Sequence, residues 1–142
     1  MAQLLVDLVN GAVIVQSIVP AAYTVTAQGS TTLGDFSNAE EVLNALVEVG
    51  AFSASNTTVY VQIEEATTTG GPWTVISGMS GSVSTTNQAG IVYRGIRQKQ
   101  FARGNVVTNT GGAGVSATLG VTLISQKKVV GTATGVDRSP ST

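Results

Sequence analysis

The chain has 142 residues and a mass of 14.4 kDa, a length that accommodates one domain with its own core. It has 42% hydrophobic residues but only 11% charged ones, no His and no Cys. The absence of His and Cys excludes a Ser-His-Asp triad, a thiol nucleophile, disulfides, iron–sulfur clusters and a zinc site built on nitrogen or sulfur. The net charge of −1 gives no bulk attraction for nucleic acid, which is not an expected partner.

Val (21), Thr (19), Gly (17) and Ser (13) dominate the sequence. β-Branched residues favour strands, and Gly and Ser favour the turns between them. The charge is asymmetric along the chain. Residues 1–66 hold seven acids and no base, whereas residues 67–142 hold seven bases and one acid, Asp137. If this asymmetry reaches the surface, a head-to-tail contact between copies is one outcome; charges scattered over the surface are the other.

The first ten residues, MAQLLVDLVN, form an apolar arm. They lack the basic start of a signal peptide, and Asp7 and Asn10 interrupt the apolar run. No stretch reaches the roughly 18 unbroken apolar residues of a membrane-spanning helix, so no membrane partner is expected. Leu4, Leu5, Leu8 and Val9 have no reason to sit on a bare tail. Either they add an edge strand to their own sheet, or they reach a neighbouring copy or another protein.

A strand is predicted over Ala12–Val19, ending at Pro20. A second begins at Tyr23, where Tyr23, Val25 and Ala27 alternate with polar residues. Gly29 to Gly34 reads as a turn. Over 38–52, Asp35 or Ser37 could cap a helix. However, Leu43, Ala45, Val47, Val49 and Ala51 all fall on odd positions, which favours a strand.

Val59, Val61 and Ile63 alternate with Tyr60, Gln62 and Glu64, and residues 67–72 (TTTGGP) form a turn cluster. A hairpin follows, with Trp73, Val75 and Ile76 opening the return strand. Ser77–Asn87 reads as a loop with a short strand near Val83. Further strands are predicted at 91–97 and 101–108, then a turn at 111–114, then the clean alternation of 115–123. The pattern predicts an all-β antiparallel sandwich or barrel of seven to nine strands with little helix. The sandwich domain spans 11–130, and 131–142 form a small polar tail, expected to be disordered.

No catalytic, cofactor-binding or metal-binding residue is assigned, and the chain is not expected to be an enzyme. Glu40-Glu41 and Glu64-Glu65 are adjacent on strands. Neighbouring strand residues face opposite ways, so neither pair converges as a glycosidase pair must. Solvated strand positions are their expected role. Ser125 and Lys128 match an S-x-x-K spacing, but at a strand end rather than on a helix turn. Gly111–Gly114 lacks the G-K-[ST] and helix of a phosphate loop. Asn56 begins a glycosylation triplet with no sign of export beside it.

Two clusters are candidate contact surfaces. Arg94, Arg97, Lys99 and Arg103 form the main basic cluster, suited to acidic residues of a protein partner. Trp73, with Tyr60 nearby, could stack on a sugar; a Trp closing one end of the core is the bland alternative.

The run Val59–Ala66 (VYVQIEEA) followed by Thr67–Ile76 (TTTGGPWTVI) resembles a hairpin in small virion proteins of tailed bacteriophages. Arg97–Thr108 (RQKQFARGNVVT) is similar to a later strand of those proteins, and Val115–Lys128 to their last one. The resemblance covers about residues 36–128 and leaves the first 30 uncovered. It implies a jelly-roll-like scaffold and a homo-oligomer, typically a trimer. It also implies a head decoration, or cement, role with the major capsid protein as partner. The protein would then be made in the bacterial host cytoplasm and act on the virion head. A glycan-binding module of a tail or fibre, or a neck or tail structural protein, is the alternative.

Overall fold

The computed structural model describes residues 11–24, 32–54, 58–84, 90–109 and 116–128. The apolar arm with Leu4, Leu5, Leu8 and Val9, the turn at 111–114, Asn56 and the tail from 131 lie outside the described residues.

Eight strands are present among the described residues: β1 (Ala12–Thr24), β2 (Gly34–Asp35), β3 (Val42–Phe52), β4 (Thr58–Ala66), β5 (Thr74–Ser84), β6 (Ile91–Ile96), β7 (Phe101–Asn109) and β8 (Ser116–Gln126). They form two four-stranded sheets, β1-β8-β3-β6 (sheet A) and β2-β7-β4-β5 (sheet B), with every pairing antiparallel. Strands β1 and β8, β2 and β7, β3 and β6, and β4 and β5 are paired partners. The chain is therefore one long antiparallel ribbon, folded back at the β4–β5 hairpin and rolled so that β8 meets β3 and β7 meets β4. That winding is the double Greek key of a jelly roll, the sandwich expected from the sequence.

The alternation read from the sequence sets the core. Leu43, Ala45 and Val47 of β3, Val59, Val61 and Ile63 of β4, and Leu119, Val121 and Leu123 of β8 are all buried between the sheets. Fully burying each large aliphatic side chain contributes about 1.5–3 kcal/mol. The 38–52 segment is a strand from Val42, as its odd-position apolar residues require.

Two expectations about strand limits are corrected. β1 does not stop at Pro20 but continues as one strand to Thr24. Its register against β8 shifts between Gln16 and Ile18 and again between Ile18 and Ala21. β1 is the edge of sheet A, and edges and bulges are where a strand accepts proline. Likewise, Ser77–Ser84 is not a loop but the body of β5. Gln62 pairs with Ser80 while Glu64 pairs with Val75, so β5 carries an insertion there, with Gly78 at φ 77°. The bulge switches the buried positions from Ile76 to Met79 and Val83, which breaks the period-2 pattern in the sequence.

The sheets approach closely at Gly104 of β7. A Cβ there would lie 2.9 Å from Cγ1 and 3.1 Å from Cβ of Val121 in the opposite sheet. A β-branched neighbour cannot swing aside. Gly104→Ala is therefore expected to cost about 1–3 kcal/mol, read as a lower urea midpoint.

Candidate functional site

The strands carry three polar or exposed features, two on the outer sheet faces and one at an end of the sandwich. On sheet A, the residues between the core positions face outward. Ile14, Ile124, Asn44 and Arg94 lie in one cross-strand row, and Gln16, Thr122, Leu46 and Val92 in the next. Val42 pairs with Ile96 beside them. Ile14 is 53%, Ile96 65% and Val92 66% exposed, while Val42, Leu46 and Ile124 are half-buried. Arg94 stands exposed between Val92 and Ile96 on β6. Among the described residues the ion pair is Arg103–Glu64, and Arg94 has no carboxylate partner.

On sheet B, register places Glu64 opposite Arg103 and Gln62 opposite Asn105. Arg103 Nε donates to Glu64 Oε2 at 2.9 Å, and its Nη2 lies 2.9 Å from the same oxygen. Asn105 Nδ2 and Gln62 Nε2 donate to Oε1 at 2.9 and 2.6 Å. The Arg103 guanidinium also stacks over the Trp73 ring, 4.2 Å from its centroid. Four donor contacts thus hold one carboxylate, which is buried on an outward-facing position. Tyr60, four residues along β4 or about 13 Å away, donates its hydroxyl to Ser80 Oγ at 3.0 Å.

The third feature lies where β6 ends. Arg97 turns inward after Ile96 and is 7% exposed. Its Nη2 donates to the carbonyls of Phe36 (2.9 Å), Ala39 (3.1 Å) and Glu40 (3.2 Å), and Nη1 donates to the Lys99 carbonyl. Burial pulls the guanidinium below its ordinary pKa, against the opposing pull of Glu65, Glu41 and Asp35. Glu65 Oε2 accepts the amide N–H groups of Gln98 (2.7 Å) and Lys99 (3.1 Å), and Lys99 Nζ donates to Thr74 Oγ1 at 2.6 Å. Nearby, Asp35 accepts the Ser37 N–H at 2.9 Å, which holds its carboxyl below the ordinary range.

Comparison with family models, curated proteins and solved structures gives no match. The basic cluster of the sequence does not converge. Arg94 faces out from sheet A, Arg97 is taken inside, Lys99 lies half-buried at the sandwich end, and Arg103 belongs to the outer face of sheet B. A spacing of three would put Arg94 and Arg97 on opposite faces of one strand, and in the fold β6 ends before Arg97 while Arg103 lies on β7 in the other sheet.

The expectation of solvated strand positions holds in part for Glu40 and Glu41, which are exposed but lie just before β3, and fails for Glu64 and Glu65, which are buried and hydrogen-bonded. Glu64 and Glu65 do face opposite ways, as strand geometry requires. Trp73 does not join the buried core, and its half-buried ring carries Arg103 on one face. Ser125 is buried and donates to the carbonyls of Glu40 and Val42, so it joins β8 to the start of β3. No sequence signal marks Glu64 or Glu65 as buried, since apart from Gln62 their partners come from residues more than 30 positions away.

Trp73 is the chain's one tryptophan, so it reports directly on Arg103. Arg103→Ala is expected to shift Trp73 emission and to cost about 1–2 kcal/mol, through loss of the stacked cation and the charged hydrogen bonds. Unchanged fluorescence would show that the stack does not persist in solution.

Proposed function

We propose that the chain is a non-enzymatic structural protein of a tailed-phage virion. In this reading it is a head decoration protein that oligomerises, as a trimer, and bridges neighbouring subunits of the major capsid protein. The observation that carries the reading is the apolar outer face of sheet A. Ile14, Val92 and Ile96 are exposed beside half-buried Val42, Leu46 and Ile124, all on regular strands. Exposed aliphatic side chains grouped on one sheet face, here with Asn44, Arg94, Gln16 and Thr122 among them, fit a contact with another protein. A low fraction of charged residues fits a surface meant to be covered. The jelly roll is a compatible scaffold, although a fold by itself assigns no function.

The glycan-binding alternative needs a free ring face at Trp73, and the stacked Arg103 occupies one face. Among the described residues no stacked charge covers the exposed side chains of sheet A in the same way, which favours the assembly reading.

The test is cosedimentation with expanded capsid shells of the phage whose genome encodes the chain. Val92→Glu together with Ile96→Glu is expected to weaken binding by more than tenfold, while the far-UV circular dichroism stays that of the parent. Each buried aliphatic is worth about 1.5–3 kcal/mol, and 1.4 kcal/mol is tenfold. Undiminished binding of the double variant would remove sheet A from the interface. No binding by the parent protein would overturn the decoration role.

A further inference from the structure

β6 lies at the edge of sheet A and pairs with β3 on one side only. A strand edge of this kind is a template for one more strand. Its outward side chains read apolar, basic, apolar: Val92, Arg94, Ile96. The N-terminal arm carries the complement at the same spacing: Leu5, Asp7, Val9 read apolar, acidic, apolar. Resting on the assembly reading above, we propose that residues 5–9 of one copy add as a strand to the free edge of β6 in a second copy. Asp7 then lies opposite Arg94.

In the antiparallel register, Val9 is opposite Val92, Asp7 opposite Arg94 and Leu5 opposite Ile96. Directly opposed strand residues share a face and lie about 4.5–5.5 Å apart at Cβ. The pairing covers the two most exposed apolar side chains of sheet A and gives Arg94 a carboxylate. It also turns Leu4, Val6 and Leu8 toward β5, whose Ile76 and Met79 lie against Gly95 of β6. A one-residue slip would place Asp7 opposite an inward-facing position, so the charges fix the register.

The arm cannot make this pairing within its own chain. β1 and β6 are the two opposite edges of sheet A. A strand added beyond β6 lies four strand spacings, about 19 Å, from β1. Val9 is three residues from Ala12 at the start of β1, a reach of at most about 11 Å. The occupant is therefore a second copy. Each copy then gives its arm at one edge of sheet A and receives one at the other. Such a head-to-tail contact builds closed rings, trimers among them. It also brings an acidic residue of the first half of the sequence to a basic residue of the second.

The chain has no cysteine, so single cysteines can report the contact without background. Full-length Val9→Cys protein is mixed with full-length Val92→Cys protein and treated with a short bismaleimide. The expected product is a covalent heterodimer. Adding Asp7→Arg to the first protein should lower its yield at least tenfold. Adding Arg94→Asp to the second should then restore it. Circular dichroism checks that each variant keeps the parent fold.

An absent heterodimer, a yield indifferent to Asp7→Arg, or a failure of Arg94→Asp to restore it would overturn the proposal. Sedimentation of the unmodified protein separates failure of the arm pairing from failure of assembly. An oligomer without the crosslink overturns the arm pairing and leaves assembly standing. A monomer with or without capsid shells overturns both.

Discussion

Arg97→Met is expected to lower the urea midpoint of unfolding by about 1.5–3 M, the largest effect of any substitution at a polar or charged side chain. The guanidinium is nearly inaccessible and serves the carbonyls of Phe36, Ala39, Glu40 and Lys99. Those groups belong to the connection between β2 and β3 and to the turn between β6 and β7, which no strand pairing can satisfy. Methionine preserves much of the side chain's volume but donates nothing. The Phe36 and Glu40 carbonyls would keep the Ala39 N–H and Ser125 Oγ as donors, but all four would lose a charge-assisted hydrogen bond, at about 3–5 kcal/mol in total. That is a large share of the roughly 5–15 kcal/mol that stabilises an ordinary domain. Arg97→Lys should fall between the two, because an ammonium is a point donor and cannot reproduce the guanidinium's planar fork. A midpoint unchanged in Arg97→Met would mean that water reaches this corner and replaces the side chain.

The same corner shows where the sequence is legible and where it is not. The strands whose apolar residues alternate without interruption, β3, β4 and β8, can be read directly, because one buried face imposes period 2. β5 is hidden by its bulge at Gly78, which puts Ile76 and Met79 on the same buried side at a spacing of three. β1 is hidden by Pro20, which reads as a stop although an edge strand tolerates it. At the level of sites, local pattern fails for another reason. Strand parity puts Arg94 and Arg97 on opposite faces, but it cannot show that Arg97 lies past the strand's end, on carbonyls from the β2–β3 connection. Glu64 acquires its character from Arg103 and Asn105 across a pairing that only the folded topology creates. The apolar face of sheet A was equally hidden, since Val92 and Ile96 are unremarkable until β6 is known to be an edge.

Phe36→Ala is expected to cost about 3–5 kcal/mol, although residue 36 lies in no strand and no apolar periodicity marks it. Its ring is fully buried and is the bulkiest side chain in the core. It fills the space over Gly34, where a Cβ would lie 2.3 Å from the ring's Cε2, and the Arg97 guanidinium carbon stands 5.6 Å from its centroid. Its backbone is held as firmly: the N–H donates to the Gln100 carbonyl at 3.0 Å, and the carbonyl accepts from the Ala39 N–H and from Arg97. Alanine would leave a cavity that these fixed surroundings cannot close, which places the cost at the upper end for the chemistry removed. Phe36→Leu keeps most of the volume and should recover more than half of the loss. The ring and the cation share one environment, so their effects should not add. The Phe36→Ala, Arg97→Met double variant is expected to lose about 1 kcal/mol less than the sum of the singles, the coupling of a cation stacked on a ring. Strict additivity in that cycle, measured by urea unfolding, would show that Arg97 acts only through its carbonyl contacts. The full loss in Phe36→Ala would then be the cavity alone.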